Sequence, residues 1–423
     1  MAKKADIENP YIPEFEKYLR TPEPSVRERA DYWRTAIGLQ AVDQLTVSDF
    51  LKQTAQEHIE GQISADEAEQ RIKAYYQAKD IRLPDDDEKE EADKVAMNIT
   101  KLLSEQSFTF SVAGFASIHR QIFKGVFKHA GQFRDYDITK KEWVLDGDTV
   151  LYASCTQLQA TLEYDLEQEK QFDYSNLALP DAIRHIAAFV ANIWQIHPFR
   201  EGNTRTTAVF TIKYLRSIGF QNIDNTLFEQ HSWFFRNALV RANYKNARLG
   251  VNNSPQYLER FFRNLLLGEQ MPLHNRDLHI SNKNVQSADT EQVPNKRRTS
   301  TEQVQDKYRT SIEQVQGKFE ISSLISTGNQ IYTDDENTIR LVQTMGLEKL
   351  SIKEIMGKIE LKHRPTFMEN YLNPAIENGF VRLLYPDSPR HPRQKYLLTV
   401  KGMMLVKSVI EQIISNLRLL NNR

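Results

Sequence analysis

Nine consecutive residues, 197–205, read HPFREGNTR and combine the side chains that phosphate chemistry uses. His197 is able to take up a proton near neutral pH. Glu201 is a hard oxygen ligand of the kind that Mg²⁺ prefers, and Arg205 is suited to clamp a phosphate. Average residue frequencies give this pattern by accident about once in 10^5 chains of this length. The segment, called the motif loop below, is therefore predicted to handle a phosphate.

The segments on either side of the motif loop predict its geometry. Residues 180–196 are apolar at helical spacing, and residues 204–217 have the pattern of a second helix. The loop therefore ends at a helix N-terminus, where unpaired N–H groups and the positive end of the dipole favour bound phosphate. Gly202 and Asn203 let the backbone approach an anion closely. Phe199 is expected to point inward and to pin the loop.

Composition excludes several classes of protein. The chain has 423 residues, a formal net charge of −1 and a single cysteine, Cys155. The charge gives no overall signal for a nucleic acid or a membrane surface, and one cysteine permits neither an internal disulfide framework nor a cysteine zinc cluster. The N-terminus lacks the apolar core of a secretory signal. The sequence contains no run of 18 apolar residues, so no membrane span is predicted. A cytoplasmic protein is the expectation.

The motif loop resembles the core signature of the Fic family, HxFx[DE]GNGRxxR. The resemblance covers roughly residues 91–267 and implies a magnesium-dependent enzyme that transfers AMP from ATP to a Ser, Thr or Tyr hydroxyl of a protein, the chain itself included. It assigns His197 as the general base and Glu201 as the metal ligand. The phosphate cradle that it implies consists of Gly202, Asn203, Thr204 and Arg205.

Two departures from the family signature leave alternatives open. Thr204 replaces the second glycine and adds bulk, and Ala208 stands where the family has an arginine that holds the γ-phosphate. Without that arginine, the triphosphate must be oriented by another group, or the activity is low, or the donor differs. AMP transfer is the favoured reaction. Transfer of another nucleotide or phosphate-linked group and loss of catalysis are the alternatives.

The resemblance and the helical patterns together predict a mostly α fold with four parts. These are an antitoxin-like helical unit, a Fic-type helical core with a β-hairpin flap, a repeat-containing linker and a winged-helix domain. We expect them to occupy residues 1–80, 91–270, 271–334 and 335–423. An 11-residue repeat at 290–322 supports the linker, because one strong apolar position per repeat is too few for a packed core.

The N-terminal unit is similar to the small domains that restrain many Fic cores through an inhibitory [ST]xxxE[GN] helix. Asp43 is the best-placed counterpart of its glutamate, although Leu39 stands where a hydroxyl residue is expected. Because Ala208 removes the usual partner arginine, the usual inhibitory salt bridge is not expected to form. Either Asp43 regulates the site through another contact, or the unit is a structural clasp.

Two further segments have predicted roles in the Fic core. Residues 137–152 flank Asp146-Gly147, which is a hairpin signal, and they lie where the family has a flap that binds its target as an added strand. Residues 232–244 predict a helix in the region where the family contacts adenine. Asn237 and Tyr244 are the candidate adenine ligands there, with Asn243 as a further one.

The C-terminal region suggests a second class of function. Residues 351–423 contain 12 Lys and Arg against six Asp and Glu, which suits contact with a phosphate backbone. The candidate contacts are Lys362, His363 and Arg364 in the recognition helix and Arg390, Arg393 and Lys395 in the wing. DNA is therefore a candidate partner, as is a second copy of the chain in a homodimer. The alternative function is a DNA-associated regulator whose Fic site senses nucleotide or is catalytically weakened.

Overall fold

The structure is a computed structural model that describes residues 13–281 and 333–405. The description omits short segments at 80–82, 84, 175–176, 219, 221–222 and 224, and at 334, 347, 386–388, 390, 392, 400 and 403–404. The repeat at 290–322, most of the predicted linker and Arg390 lie outside the described residues.

The described part of the first segment is built from helices and loops, and the mostly α prediction is confirmed. The α-helices are α1 (Pro13–Leu19), α2 (Pro24–Gly38), α3 (Asp49–Ile59), α4 (Ala65–Gln77), α5 (Asp86–Ser104), α6 (Val112–Ile122), α7 (Leu158–Lys170), α8 (Leu179–Ile196), α9 (Asn203–Ser217), α10 (Thr226–Asn243) and α11 (Gln256–Leu267). Short 3₁₀ turns occur at Leu39–Asp43, Trp143–Leu145, Ala247–Leu249 and Asn275–Leu278.

Local capping explains where several helices begin. Helix α4 begins with a capping box, in which the Ser64 hydroxyl accepts from the Glu67 N–H and the Glu67 carboxylate accepts from the Ser64 N–H. Ser48 caps α3 with its hydroxyl, which accepts from the Leu51 N–H. The acidic run that begins near Asp86 places negative charge in the first turn of α5, where the helix dipole favours it.

The N-terminal helices and the Fic-type helices share one hydrophobic core, which extends from Phe15 to Leu278. Helix α2 packs directly against α5 and α10. The approach is close at Gly38, where a Cβ atom would lie 2.3 Å from the Glu229 Cα. Glu229 also forms an ion pair of 2.7 Å with Arg34, and both side chains are 2% exposed. The N-terminal helices are therefore an integral part of the core.

The segment expected to form the flap is only partly hairpin-like. The turn forms at the predicted dipeptide, with Asp146 and Gly147 in the left-handed region (φ 54° and 87°). The Glu142 N–H donates to the Asp148 carbonyl at 2.9 Å. No strand ladder forms within residues 137–152, because the residues that directly precede the Asp146-Gly147 turn form a 3₁₀ turn at Trp143–Leu145 and not an extended strand. We call residues 137–153 the flap loop.

The described C-terminal residues form a second, smaller core of helices and one antiparallel hairpin. Its helical segments are Glu336–Met345, Ile352–Ile359, Arg364–Phe367, Met368–Leu372 in π geometry and Asn373–Glu377. The π turn lies just before Pro374, which cannot donate the backbone hydrogen bond of a regular helix. The two strands of the hairpin are β1 (Val381–Leu383) and β2 (Tyr396–Leu398), with Arg382 opposite Leu397.

Candidate active site

His197 ends helix α8 in a backbone conformation that few side chains adopt. Its φ and ψ are 50° and 56°, and its N–H donates to the Trp194 carbonyl at 3.1 Å. The imidazole Nδ1 lies 3.2 Å from the same carbonyl, so Nδ1 is the protonated nitrogen. The Nε2 atom makes no hydrogen bond within the described residues. His197 therefore offers an unprotonated nitrogen to an incoming group.

The surroundings of His197 favour its neutral form. The residue is 3% exposed, and burial lowers its pKa well below 6.5, with further lowering by the positive charges of Lys140, Arg236 and Arg134. The Tyr152 ring packs at 4.4 Å from the imidazole, and the Trp194 ring meets it edge-on at 5.1 Å. A target hydroxyl can reach Nε2 only if the covering flap loop shifts.

The turn from Phe199 to Asn203 is internally bonded. The Asn203 side chain accepts from the Phe199 N–H at 2.9 Å and donates to the Phe199 carbonyl at 2.8 Å. Phe199 is fully buried and stacks on His119 at 3.7 Å, which confirms that it pins the loop. Gly202 adopts φ 71°, and a Cβ atom there would lie 2.1 Å from the Phe123 ring. Only glycine fits that position.

Glu201 and the first turn of α9 provide the groups that suit a metal-bound phosphate. The Glu201 side chain is exposed and forms no ion pair within the described residues. The first intrahelical bond of α9 runs from the Thr206 N–H to the Gly202 carbonyl. The N–H groups of residues 203–205 therefore have no acceptor within the helix. The Thr204 hydroxyl accepts from the Trp194 indole at 2.9 Å. Its side chain therefore packs on α8.

Arg134 supports the His197 end of the motif loop, and the sequence reasoning missed it. It is 2% exposed. Its guanidinium donates to the His197 carbonyl at 2.9 Å, to the Ala153 carbonyl and, at 3.4 Å, to the Ile196 carbonyl. Its backbone N–H donates to the Pro198 carbonyl at 2.8 Å. No local pattern distinguishes such an arginine from a surface one.

His119 supports the other end of the motif loop. Its Nδ1 accepts from the Gly131 N–H at 2.8 Å, so Nε2 carries the proton and donates to the Glu201 carbonyl at 3.1 Å. Burial lowers the pKa of His119 to about 3, which keeps the ring neutral. A signal was available in the sequence, because position 119 shares the apolar face of α6 with Phe115 and Ile122.

Arg205, the predicted phosphate clamp, is already engaged by the protein. It is 1% exposed and forms an ion pair with Asp43 at 2.8 Å. It also donates to the Glu91 carboxylate at 2.8 Å and to the Gln40 side-chain oxygen at 3.1 Å. Asp43 and Gln40 belong to the 3₁₀ turn that follows α2. The N-terminal helices therefore contact the phosphate arginine directly.

Comparison with known families identifies this arrangement. Residues 109–215 match the family described as Fic/DOC. The chain contains a Fic domain. Residues 336–399 match the Fic-like C-terminal domain of filamentation-induced-by-cAMP proteins. The match to the Fic domain includes the whole motif loop together with Arg134 and His119.

Solved structures show a weaker similarity. A Fic family protein from Desulfovibrio desulfuricans G20 is 17% identical, with a TM-score of 0.38 over 91% of this chain and 90% of its own. The N-terminal Fic domain of a VirB-translocated Bep effector protein from Bartonella quintana is 20% identical, with a TM-score of 0.31 over 44% of this chain and 84% of its own. These scores are too low to support a structural argument. No curated protein matches the chain in sequence.

The Fic domain of this chain lacks the last arginine of the signature, and a half-buried lysine of the flap loop lies within electrostatic range of Glu201. Ala208 is fully buried. Lys140, in the flap loop, interacts electrostatically with Asp43, Glu142 and Glu201. Its ammonium makes no hydrogen bond or ion pair within the described residues. Burial lowers the pKa of Lys140, as expected for a cation without a close partner.

The residues predicted to contact adenine have protein partners instead. Asn237 is fully buried and donates to the Asn275 side chain at 2.9 Å. The Tyr244 hydroxyl donates to the Asp148 carboxylate at 2.7 Å, and Asn243 donates to the Ala191 carbonyl at 2.9 Å. These contacts join α10 to its neighbours and to the flap loop. Their contact with adenine stays a prediction.

The residues present fit a magnesium ion only in the company of a nucleotide. Within the described residues, no group of three or more His, Cys, Asp or Glu side chains is placed to hold a metal. Glu201 supplies one exposed carboxylate beside a helix N-terminus. Mg²⁺ is commonly held by one or two carboxylates together with substrate phosphates.

Among the described helices, none combines the length and apolar character of a membrane span.

Proposed function

We propose that this protein transfers AMP from ATP to a Ser, Thr or Tyr hydroxyl of a protein. The observation that carries the proposal is the hydrogen bond between His197 Nδ1 and the Trp194 carbonyl, which leaves Nε2 free as a base. This base lies at the start of the motif loop, and the unpaired N–H groups of α9 lie at its end. The base and the anion site are therefore six to eight positions apart, at the two ends of one internally bonded turn.

The reaction follows from these groups. His197 Nε2 accepts the proton of the target hydroxyl, whose oxygen forms a bond to the α-phosphorus of ATP. The bond from the α-phosphorus to the bridging β-oxygen breaks, and pyrophosphate leaves. Arg205 and the first N–H groups of α9 stabilise the negative charge on the phosphate oxygens. Glu201 would hold Mg²⁺, which neutralises charge on the phosphates when bound.

The test uses ATP labelled at the α-phosphate and intact-mass analysis of the protein after incubation with Mg²⁺. We expect label and a mass increase of one AMP in the wild type, and neither in His197→Ala, while nucleotide binding persists. His274→Ala is the matched control, because His274 is an exposed histidine away from the motif loop. Labelling of His197→Ala at the wild-type rate would reject the assigned base.

We further propose that Asp43 restrains the site. Its ion pair with Arg205 occupies the guanidinium that the phosphates need, so nucleotide must compete with the N-terminal helices. Asp43→Ala should raise the affinity for ATP several-fold, while Glu91 keeps one carboxylate on the arginine. Asp49→Ala is the control, because Asp49 is 97% exposed in the same part of the chain. Equal ATP affinity in all three proteins would reject this role.

The second candidate function is a DNA-associated regulator with a nucleotide-sensing site. The burial of His197 and the occupied Arg205 favour it, as does the excess of basic residues in 351–423. Salt-dependent binding of the full chain to a DNA duplex, without any AMP addition, would support this function over transfer. The winged-helix assignment and a homodimer stay predictions.

A further inference from the structure

A buried chain of contacts runs from helix α10 to the ring of His197. Arg236 on α10 contacts the Glu142 carboxylate in the flap loop, with an ion pair of 2.7 Å and a hydrogen bond of 3.1 Å. The same carboxylate accepts from the Tyr152 hydroxyl at 3.2 Å. The Tyr152 ring then packs against the imidazole of His197 at 4.4 Å, tilted by 42°.

Burial makes these contacts restrictive. Glu142 is 1% exposed and Tyr152 is 8% exposed, so neither side chain can change partners without breaking a contact inside the protein. A buried carboxylate is stable only when it is paired and hydrogen-bonded, and here Arg236 and Tyr152 supply those partners. The tyrosine ring is therefore fixed at both its hydroxyl and its face.

His197 needs such a support because its hydrogen bond orients it only weakly. The acceptor for Nδ1 is a neutral backbone carbonyl at 3.2 Å, and no carboxylate in the described part of the chain forms a hydrogen bond or ion pair with the ring. A hydrogen bond to a charged group is roughly twice as strong as one between neutral groups. Ring packing by Tyr152 and Trp194 must therefore do most of the orienting.

We propose that Tyr152 is a positioning residue for His197 and that Glu142 and Arg236 fix the ring of Tyr152. The inference rests on the proposed function only in taking His197 as the base. Tyr152 would keep Nε2 aimed at the target hydroxyl. The face of its ring would also attract the imidazolium that forms when His197 takes up the proton.

The charged groups that face His197 determine which variants are informative. Lys140 and Arg134, from the flap loop and the loop before it, and Arg236, from α10, are all cationic and lower the pKa of His197. Removing Arg236 would change that field together with the packing. Variants of Tyr152 leave these three cations in place, so Tyr152→Leu, which removes the ring, and Tyr152→Phe, which removes only its bond to Glu142, are the primary tests.

The experiment measures two properties for each variant. The first is the pKa and tautomer of His197 by NMR of the nucleotide-free protein, and the second is kcat and KM for ATP across pH. For Tyr152→Leu we expect a kcat lower by about 30- to 100-fold, a KM for ATP within about twofold and a higher pKa of His197, because water replaces the ring. For Tyr152→Phe, which keeps the ring but loses its bond to Glu142, we expect a loss of kcat between those of the wild type and Tyr152→Leu. Tyr164→Leu, at a tyrosine that is 62% exposed, should match the wild type.

Three outcomes decide the proposal. An unchanged pKa and tautomer of His197 in Tyr152→Leu would overturn it, even if kcat fell. If Tyr152→Leu does not fold, Glu142→Gln provides the test, because it weakens the hydrogen bond of the Tyr152 hydroxyl without changing the ring. An unchanged NMR spectrum of His197 in that variant would also overturn the proposal. Absence of transfer in the wild type would refute the proposed function instead, and the NMR result would still test the contact.

Discussion

Arg134 gives the sharpest test of how the motif loop is built. Its guanidinium donates to the carbonyls of Tyr136, His197, Ala153 and Ile196, and the Tyr136 bond is 2.7 Å long. Methionine has a similar length but donates nothing, so Arg134→Met leaves these acceptors without their donor. The variant therefore removes one interaction centre with little change in shape.

The expected cost follows from the number of acceptors that stay buried. Ile196 and His197 are 2% and 3% exposed, and each buried acceptor without a partner costs about 1–3 kcal/mol. We expect Arg134→Met to lower the free energy of unfolding by about 3–5 kcal/mol. We also expect transfer to fall by about 100-fold below the melting temperature, because His197 loses the bond that helps to hold its left-handed backbone.

The assay combines urea unfolding, followed by tryptophan fluorescence, with AMP transfer at low temperature. Arg200→Ala is the matched control, since Arg200 is exposed and forms a surface ion pair with Asp135 at 3.0 Å, and such surface pairs contribute about 0–1 kcal/mol. Arg134→Lys should lie between wild type and Arg134→Met. A loss below about 1 kcal/mol in Arg134→Met, or full transfer despite lost stability, would refute this account of the loop.

Three further predictions test the fold around the site. Gly202→Ala places a Cβ atom 2.1 Å from the Phe123 ring and should lower the unfolding free energy by about 2–4 kcal/mol; recovery in Gly202→Ala/Phe123→Leu would confirm the clash in thermal melts. The pKa of His119 is lowered from 6.5 to about 3, so the unfolded chain binds the proton first and stability should fall as pH decreases from 6.5 to 3; a flat urea-unfolding profile there would contradict it. Arg34→Met should lower the unfolding free energy by about 3–5 kcal/mol, because it leaves Glu229 buried without its partner, and Arg34→Met/Glu229→Leu should lower it much less. Equal unfolding free energies for the two variants would contradict this role of the pair.

Local patterns predicted much of this fold because local interactions create it. The helices on both sides of the motif loop and the inward position of Phe199 are found as predicted. Each depends on residues close together in the chain, whose spacing is visible in the sequence.

The contacts that sequence reasoning missed join distant parts of the chain. Asp43 and Arg205 are separated by 162 positions, yet they form an ion pair at 2.8 Å. The sequence indicated that Ala208 leaves Asp43 without its usual partner, but it did not indicate that Arg205 would take that place. Asn237 shows the opposite case, because its amide suits adenine but tertiary packing gives it Asn275 as a partner. A single sequence carries little information about such pairings.

The single thiol of this chain has a useful location. Cys155 follows the flap loop, is half-buried, and donates its backbone N–H to the Asp137 side chain at 2.7 Å, which joins the two ends of the loop. Because the chain has no other cysteine, a maleimide fluorophore would attach there alone, with no engineered substitution. Its emission would then report in real time whether nucleotide or a target protein opens the cover over His197.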